Sequence, residues 1–481
     1  MSRFTPELLL SPLASFSDAQ IGWIAYSGGM DSSVLLHALV CIRDRLGFEL
    51  RALHVDHGLH PSSATWAKHC ARACKRLGMP LKIRRVQLAP ARGESLEAVA
   101  RQARYEAMAD LLGQGDLLLT AQHRDDQAET LLLALMRGSG PAGLAAMPQV
   151  APLGAGRLIR PMLEQSRAEL LAYAEDWNLD WLEDPSNRDL GFDRNFLRHQ
   201  VLPLLAERWP SCTTSIARSA AHCAEAQGII DLVSEDELSK VAGQWPDTLS
   251  ISRLGNLPLP LRKLVLRHWI RGRGLPAPDS RHLVRISSEV MTARSDANPL
   301  VAWRGCEVRR YRDDLLAMEP LPPVPGSASI HWKKGVLRLP NGLGYLELVA
   351  SKGCSPDPQD LFADGLEVRF RTPGLSCRRA PGGHRRSLKN LFQEAGVPPW
   401  IRPYVPLLFT QGRLVAVGDF WVCYPIGVEP GQELQVRWKS KPGALIPEAT
   451  DMPARAERQP IGEKTGRASG LDVENIPQGP G

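Results

Sequence analysis

The chain has 481 residues, 43% apolar and 23% charged, which excludes wholesale disorder and gives a length of about three domains. Its 41 glycines and 39 prolines stay below the low-complexity range and follow no G-X-Y period, which excludes collagen. Lysine plus arginine exceeds aspartate plus glutamate by 58 to 52, a net charge of +6 that leans mildly toward anionic partners.

The opening stretch MSRFTPELLLSPLASF is interrupted by Pro6, Glu7 and Pro12, unlike a signal-peptide core. No apolar run approaches the roughly 18 residues of a membrane span, so a soluble, cytoplasmic protein without a membrane partner is expected. Strand-like and helix-like periodicities then alternate: strands over 21–27, 49–55, 81–86 and 116–121, helices over 32–47, 63–78, 94–113 and 125–138. This predicts an α/β domain built on a doubly wound parallel sheet, with ligands beyond the carboxyl ends of the strands. A Gly/Pro/Ala-rich stretch over 140–156 reads as a mobile loop, followed by a strand and a helix over 166–178. From about 215 to 320 the pattern is mostly helical. After a proline-rich hinge at 320–325 it becomes short strands and turns, a small α+β unit. The domains expected are 1–215, 216–322 and 323–440, with a disordered tail over 441–481 that has no aromatic residue and too little apolar surface to order itself. Nine scattered cysteines without a CxxC pair read as reduced thiols, with Cys70 and Cys74 in the core.

The passage Ser27-Gly28-Gly29-Met30-Asp31-Ser32, between a strand and a helix, carries the most chemistry. Two glycines allow a tight turn and close approach to a ligand. The helix that follows offers free N–H groups to an anion, with the Ser27, Ser32 and Ser33 hydroxyls as further donors. It is not a Walker A loop, because GK followed by Ser or Thr is absent. A glycine turn with a serine N-cap is the plain alternative. Asp31 weighs against it, since an acid in a phosphate cradle is repulsive unless it holds a metal or acts on a proton.

A second cluster opens the helix after the fourth strand: His123, Asp125, Asp126 and Glu129. Asp125 and Glu129 fall on one helix face. Acids favoured by the helix dipole are the alternative here, but three acids beside a histidine exceed what a cap requires. The same HRDD string mimics a kinase catalytic loop, yet Thr130 stands where an asparagine is needed and no DFG follows. His54, His57 and His60, without nearby cysteines, suit nucleotide or RNA contact better than a metal. Two basic windows stand out. One holds Arg253, Arg262, Lys263, Arg267, Arg271, Arg273, Arg281 and Arg285; the other holds Arg369, Arg371, Arg378, Arg379, Arg385, Arg386 and Lys389. Each alone is compatible with a solvated face; together they favour phosphate contact.

SGGxDS between strand and helix resembles the pyrophosphatase-loop (PP-loop) ATPases, Rossmann-like enzymes that cleave ATP between its α- and β-phosphates. HVDHGLH (54–60), EAVARQARYEAM (97–108), HRDDQAETLLLALMRGSGPAGLAAM (123–147), EDPSNRDLGFDRNFLR (183–198) and RRAPGGHRRSLKNLFQEAGVPPWIRPYVPLL (378–408) resemble, in this order, passages of the tRNA(Ile)-lysidine synthase family. His60 replaces that family's usual basic residue. The resemblance implies a two-step ligation. ATP adenylates the C2 oxygen of the wobble cytidine of a CAU-anticodon tRNA(Ile), and the ε-amine of free L-lysine then displaces AMP, which switches decoding from AUG to AUA. It also implies that Ser27, Gly28, Gly29, Met30, Asp31, Ser32 and Ser33 bind ATP, with Asp31 on Mg²⁺. His123, Asp125, Asp126 and Glu129 would receive lysine, with Asp126 taking its proton. Arg104 would touch nucleotide or transition-state phosphate, unless it is simply an exposed helix arginine. Arg262, Lys263, Arg267, Arg378, Arg379, Arg385 and Arg386 would bind tRNA in the second and third domains. The oligomeric state stays open, a homodimer included. A PP-loop tRNA thiolase or a non-catalytic tRNA-binding protein are the alternatives. The missing cysteine pairs speak against the first, the intact Asp31 and acid cluster against the second.

Overall fold

The computed structural model describes residues 3–56, 58, 63–86, 96–294, 297–326, 329–333, 335–350, 365–370, 374–379, 383–424 and 434–439. His57, His60, Arg371 and the expected tail over 441–481 lie outside them. The chain divides into two compact units, Met1–Ser234 and Glu235–Gly481.

In the first unit six strands form one sheet: β1 (Ile21–Ala25), β2 (Glu49–Asp56), β3 (Leu81–Arg85), β4 (Leu117–Leu119), β5 (Val150–Leu153) and β6 (Gly156–Ile159), in the order β3-β2-β1-β4-β6-β5. All neighbours pair in parallel except β5, which runs antiparallel to β6 at the edge. The helices between strands are α1 (Met30–Cys41), α2 (Ser63–Arg76), α3 (Leu96–Ala109) and α4 (Arg124–Met136), with α5 (Arg167–Asp176) after β6. The apolar runs of β1 and β4 follow from burial on both faces. Ile24, Leu117, Leu119 and Ile159 pack with α1 and α5, while Trp23, Leu53, Leu118 and Leu158 pack with Met108 and Leu112 near the end of α3. Successive side chains of a strand point to opposite faces, so one short apolar run supplies two cores.

The stretch 140–156 departs from the expected loop. It holds a short helix, Pro141–Leu144, and the edge strand β5, whose register on β6 runs from Val150–Ile159 to Leu153–Gly156. Gly154 takes φ +56° at the turn, so the glycines that suggested a loop instead serve a hairpin.

The second unit begins with helical structure, including Leu259–Gly272 and Ser280–Arg285. It then adds an antiparallel sheet containing Leu300–Trp303, Cys306–Tyr311 and Asp314–Met318. This sheet was not anticipated from a helical reading of 215–320. Asp314–Met318 is buried throughout, so it lacks the alternation that marks a half-buried strand. The C-terminal part is mainly antiparallel strands with the helix Leu388–Glu394. Among the described residues, no helix is long and apolar enough to cross a membrane.

Candidate active site

The loop after β1 turns at Gly28, whose φ of +88° lies in the left-handed region. A Cβ there would stand 3.0 Å from Cys70 Sγ and 3.3 Å from Leu182 Cδ1, so both backbone conformation and space require glycine. The Leu182 N–H donates to the Gly28 carbonyl at 2.9 Å, which pins the loop to a distant segment. Gly29 is the N-cap of α1 and provides no side-chain cap; a serine N-cap is therefore not what the sequence builds. Ser27 Oγ instead accepts the Gly29 N–H, and Ser32 Oγ donates to the Gly29 carbonyl at 2.9 Å. The first N–H groups of a helix have no intrahelical partner, and here they remain available to an anion. Met30 contributes its backbone to this end; its side chain lies in the core. Ser32 and Ser33 are buried beneath the loop.

β4 delivers the second half of the site. His123 is the extended N-cap of α4 and is 1% exposed. Its Nε2 lies 3.6 Å from Asp31 Oδ1 and 3.4 Å from Asp126 Oδ2, and its Nδ1 lies 3.7 Å from Asp125 Oδ2. One imidazole thus joins the glycine loop to the acid cluster. Burial works against charge on His123, but its contact with Asp31 and the charges of Asp126, Asp31 and Asp125 outweigh burial and raise its pKa. For Asp31 burial pushes upward, yet His123, helped by Arg167 and Arg198, holds the carboxyl below its usual range. Asp31 Oδ1 is buried without a hydrogen bond.

Asp126 has two duties. Its Oδ2 accepts the His123 N–H at 3.1 Å, a capping bond, while its Oδ1 accepts from Arg198 Nη2 at 3.1 Å. The capping alternative and the site reading therefore share one carboxylate. Glu129, expected among the lysine-binding residues, lies beneath the cluster among arginines. It is 0% exposed, its oxygens accept from Arg198 Nε and Nη2 at 2.6 and 3.0 Å, and Arg194 Nε stands 3.0 Å away. Burial raises its pKa despite those arginines. Asp126 and Glu129 share the Arg198 guanidinium, while Asp125 accepts the Arg167 N–H at 2.8 Å. Arg194 and Arg198 sit four residues apart in the passage 183–198, a helical spacing that could have singled them out. Arg104 is half-buried on α3, and the network just described runs through Arg194 and Arg198.

Other residues find different places. His54 is buried, with Nδ1 2.9 Å from the Tyr26 carbonyl, and so ties β2 to the residue that follows β1. Arg262, expected on tRNA, donates from Nε and Nη2 to the carbonyls of Leu254, Gly255 and Leu257. It closes the end of the helix Ile251–Asn256 and commits three of its five donors. Lys263 and Arg267 are partly exposed. Arg386 pairs with Glu394, whereas Arg379 and Arg385 are exposed and Arg378 is half-buried. The guanidinium of Arg379 lies 5.9 Å from the Trp421 ring. Cys70 and Cys74 are buried free thiols, both pushed up by burial, Cys70 to about 12 and Cys74 to about 11. The expectation of reduced cysteines throughout is corrected in one place: Cys377 and Cys423 form a disulfide, 46 residues apart with Cα atoms 5.2 Å apart. Only tertiary packing brings that pair together. Among the described residues no group of three or more His, Cys, Asp or Glu is arranged to hold a metal ion.

Comparison with known proteins matches these regions one by one. Residues 7–205 match a PP-loop domain, 249–316 the TilS substrate binding domain and 366–438 the TilS substrate C-terminal domain. Proteins named tRNA(Ile)-lysidine synthase are similar over most of their length. That of Methylococcus capsulatus is 43% identical over 82% of this chain and 90% of its own; that of Coxiella burnetii is 40% identical over 87% and 93%. The Escherichia coli O157:H7 protein is 43% identical over 85% and 94%. With the glycine loop, the acid cluster and both later domains falling inside these matches, the chain belongs to the tRNA(Ile)-lysidine synthase family.

Proposed function

We propose that this enzyme adenylates the C2 oxygen of the wobble cytidine of CAU-anticodon tRNA(Ile) with ATP, and then joins C2 to the ε-amine of L-lysine with loss of AMP. A ring carbonyl is a poor electrophile; adenylation makes its oxygen a leaving group. The observation that carries the reading is His123, which links Asp31 of the phosphate-binding loop to Asp126 of the acid cluster at 3.6 and 3.4 Å. Nucleotide chemistry and amine delivery then share one centre.

The backbone of Gly28, Gly29 and Met30 and the hydroxyls of Ser27, Ser32 and Ser33 cradle the triphosphate, and pyrophosphate leaves along the α1 dipole. Asp31, with a buried oxygen that makes no hydrogen bond, fits a magnesium ion carried by the phosphates, which typically takes one or two protein carboxylates. When bound, that ion neutralises phosphate charge. Lysine's ammonium sits against Asp125 and Asp126. Its reference pKa near 10.4 means a proton must be removed before attack. The Asp126 carboxylate, 3.4 Å from His123 Nε2 at the meeting point of the two clusters, is the acceptor. Glu129 acts one step back by fixing Arg198. Arg104 completes the nucleotide site, and Lys263, Arg267, Arg378, Arg379 and Arg385 meet tRNA phosphates. We divide the chain as a catalytic domain over 1–215, tRNA-binding domains over 216–322 and 323–440, and a tail, working in the cytoplasm. Incubation with labelled lysine, ATP and a CAU-anticodon tRNA tests the whole: label must enter the tRNA, with AMP and pyrophosphate as coproducts. A thiolase or a non-catalytic tRNA-binding protein would incorporate none.

A further inference from the structure

Arg160 directly follows β6, at the edge of the sheet where β1 opens into the glycine loop and β4 leads to His123. Thr120, the residue after β4, donates its N–H to the Ile159 carbonyl at 3.0 Å, so the two strand ends are in register. Ile159 packs on the α1 side. Strand alternation therefore puts Arg160 on the other side, above Leu158 and toward α3. The side chain is 7% exposed. Its Nε is buried without a hydrogen bond, and its Nη1 donates to the Pro148 carbonyl at 2.6 Å. No carboxylate among the described residues forms an ion pair with it. Burial lowers its pKa, the Tyr105 hydroxyl opposes that through its charge and a hydrogen bond, and the charge of Arg101 lowers it further. The Arg101 guanidinium in turn lies 5.2 Å from the Tyr105 ring centroid.

A buried cation with a like-charged neighbour and no counter-ion is costly, and a guanidinium offers a planar fork suited to phosphate. We propose that Arg160, with Arg101 and Tyr105 beside it, is a phosphate-binding site at the carboxyl edge of the sheet. The phosphate belongs either to ATP and its pyrophosphate product or to the backbone of the bound RNA. This inference rests on the reading of the site as nucleotide- and tRNA-binding. The bond to Pro148 by itself would make Arg160 only a strut for the segment before β5.

The test measures direct binding of ATP, inorganic pyrophosphate and a CAU-anticodon tRNA to the full chain and to Arg160→Gln, Arg160→Lys and Arg101→Gln, over a range of salt concentrations. If the phosphate is ATP's, Arg160→Gln raises the ATP and pyrophosphate Kd about tenfold or more and leaves tRNA unchanged. If it is the RNA's, tRNA binding weakens instead and the log–log salt slope falls by roughly 0.7–0.9. In either case Arg160→Lys, a charge without a fork, recovers part of the loss. A variant that melts like the wild type and binds all three within twofold would overturn the proposal. Should Arg160→Gln fail to fold, the exposed Arg101→Gln decides, and unchanged affinities there overturn it equally. A wild type that binds ATP and tRNA yet incorporates no lysine would sink the functional reading while leaving this test intact.

Discussion

Replacing Arg198 by methionine isolates the arginine–carboxylate network. Glu129 is completely buried, and two of the three guanidinium contacts to its oxygens, at 2.6 and 3.0 Å, come from Arg198. Removing one partner of a buried pair costs about 3–5 kcal/mol, because the remaining charge loses its compensation. Arg194, 3.0 Å from the same carboxylate, stays in place, so we expect the lower end, about 3 kcal/mol. The pH dependence has a definite sign. Burial already raises the Glu129 pKa in the folded protein, and losing Arg198 raises it further. A group that binds its proton more readily folded than unfolded loses stability as pH rises. The deficit of Arg198→Met is therefore largest at neutral pH and shrinks as pH falls and the carboxyl takes up a proton. Urea unfolding of the full chain, with amide exchange of α4 as the local readout, measures both effects. Glu129→Leu combined with Arg198→Met removes the stranded charge and should recover most of the stability, since apolar replacement of a whole buried pair is often neutral. Activity should stay low, because Asp126 still lacks its guanidinium. A deficit below about 1 kcal/mol at neutral pH, or one that does not narrow as pH falls, would contradict this account of the network.

Three further outcomes are expected. Asp31→Asn lowers pyrophosphate release by on the order of 100-fold with tRNA affinity retained, and full activity would remove Asp31 from the phosphate site. Gly28→Ala forces a side chain into φ +88° and against Cys70 Sγ, which costs about 1–3 kcal/mol and weakens ATP binding; a variant with wild-type melting and ATP affinity would be incompatible with the loop geometry. Neutralising Arg378 and Arg379 together weakens tRNA binding and flattens its salt dependence by roughly 0.9 for each phosphate that these arginines neutralise. An unchanged slope means that their side chains never meet phosphate.

The basic windows show how far charge can be read along a chain. Arg262, Arg273 and Arg253 look alike in sequence, yet each donates to backbone carbonyls of its own unit, a commitment that charge density along the chain does not reveal. The helical reading of 215–320 fails where Asp314–Met318 is buried on all sides, since full burial erases the two-residue period that identifies a strand. The hairpin of β5 and β6 was hidden for the opposite reason: its glycines and prolines signal a turn but not the pairing on either side of it.

Strand and helix alternation, the position of the glycine loop, the acid-rich start of α4 and the family itself were all legible in the amino-acid order. Each depends on residues adjacent in the chain, where periodicity and short motifs act directly. Pairing across space was not legible. Arg198 reaches Glu129 over 69 residues and Asp126 over 72, Leu182 pins Gly28, and Cys377 meets Cys423. Packing decides such partners, because burial selects which charge must be neutralised and by what, and it sets Arg198 and Arg194 against the buried Glu129.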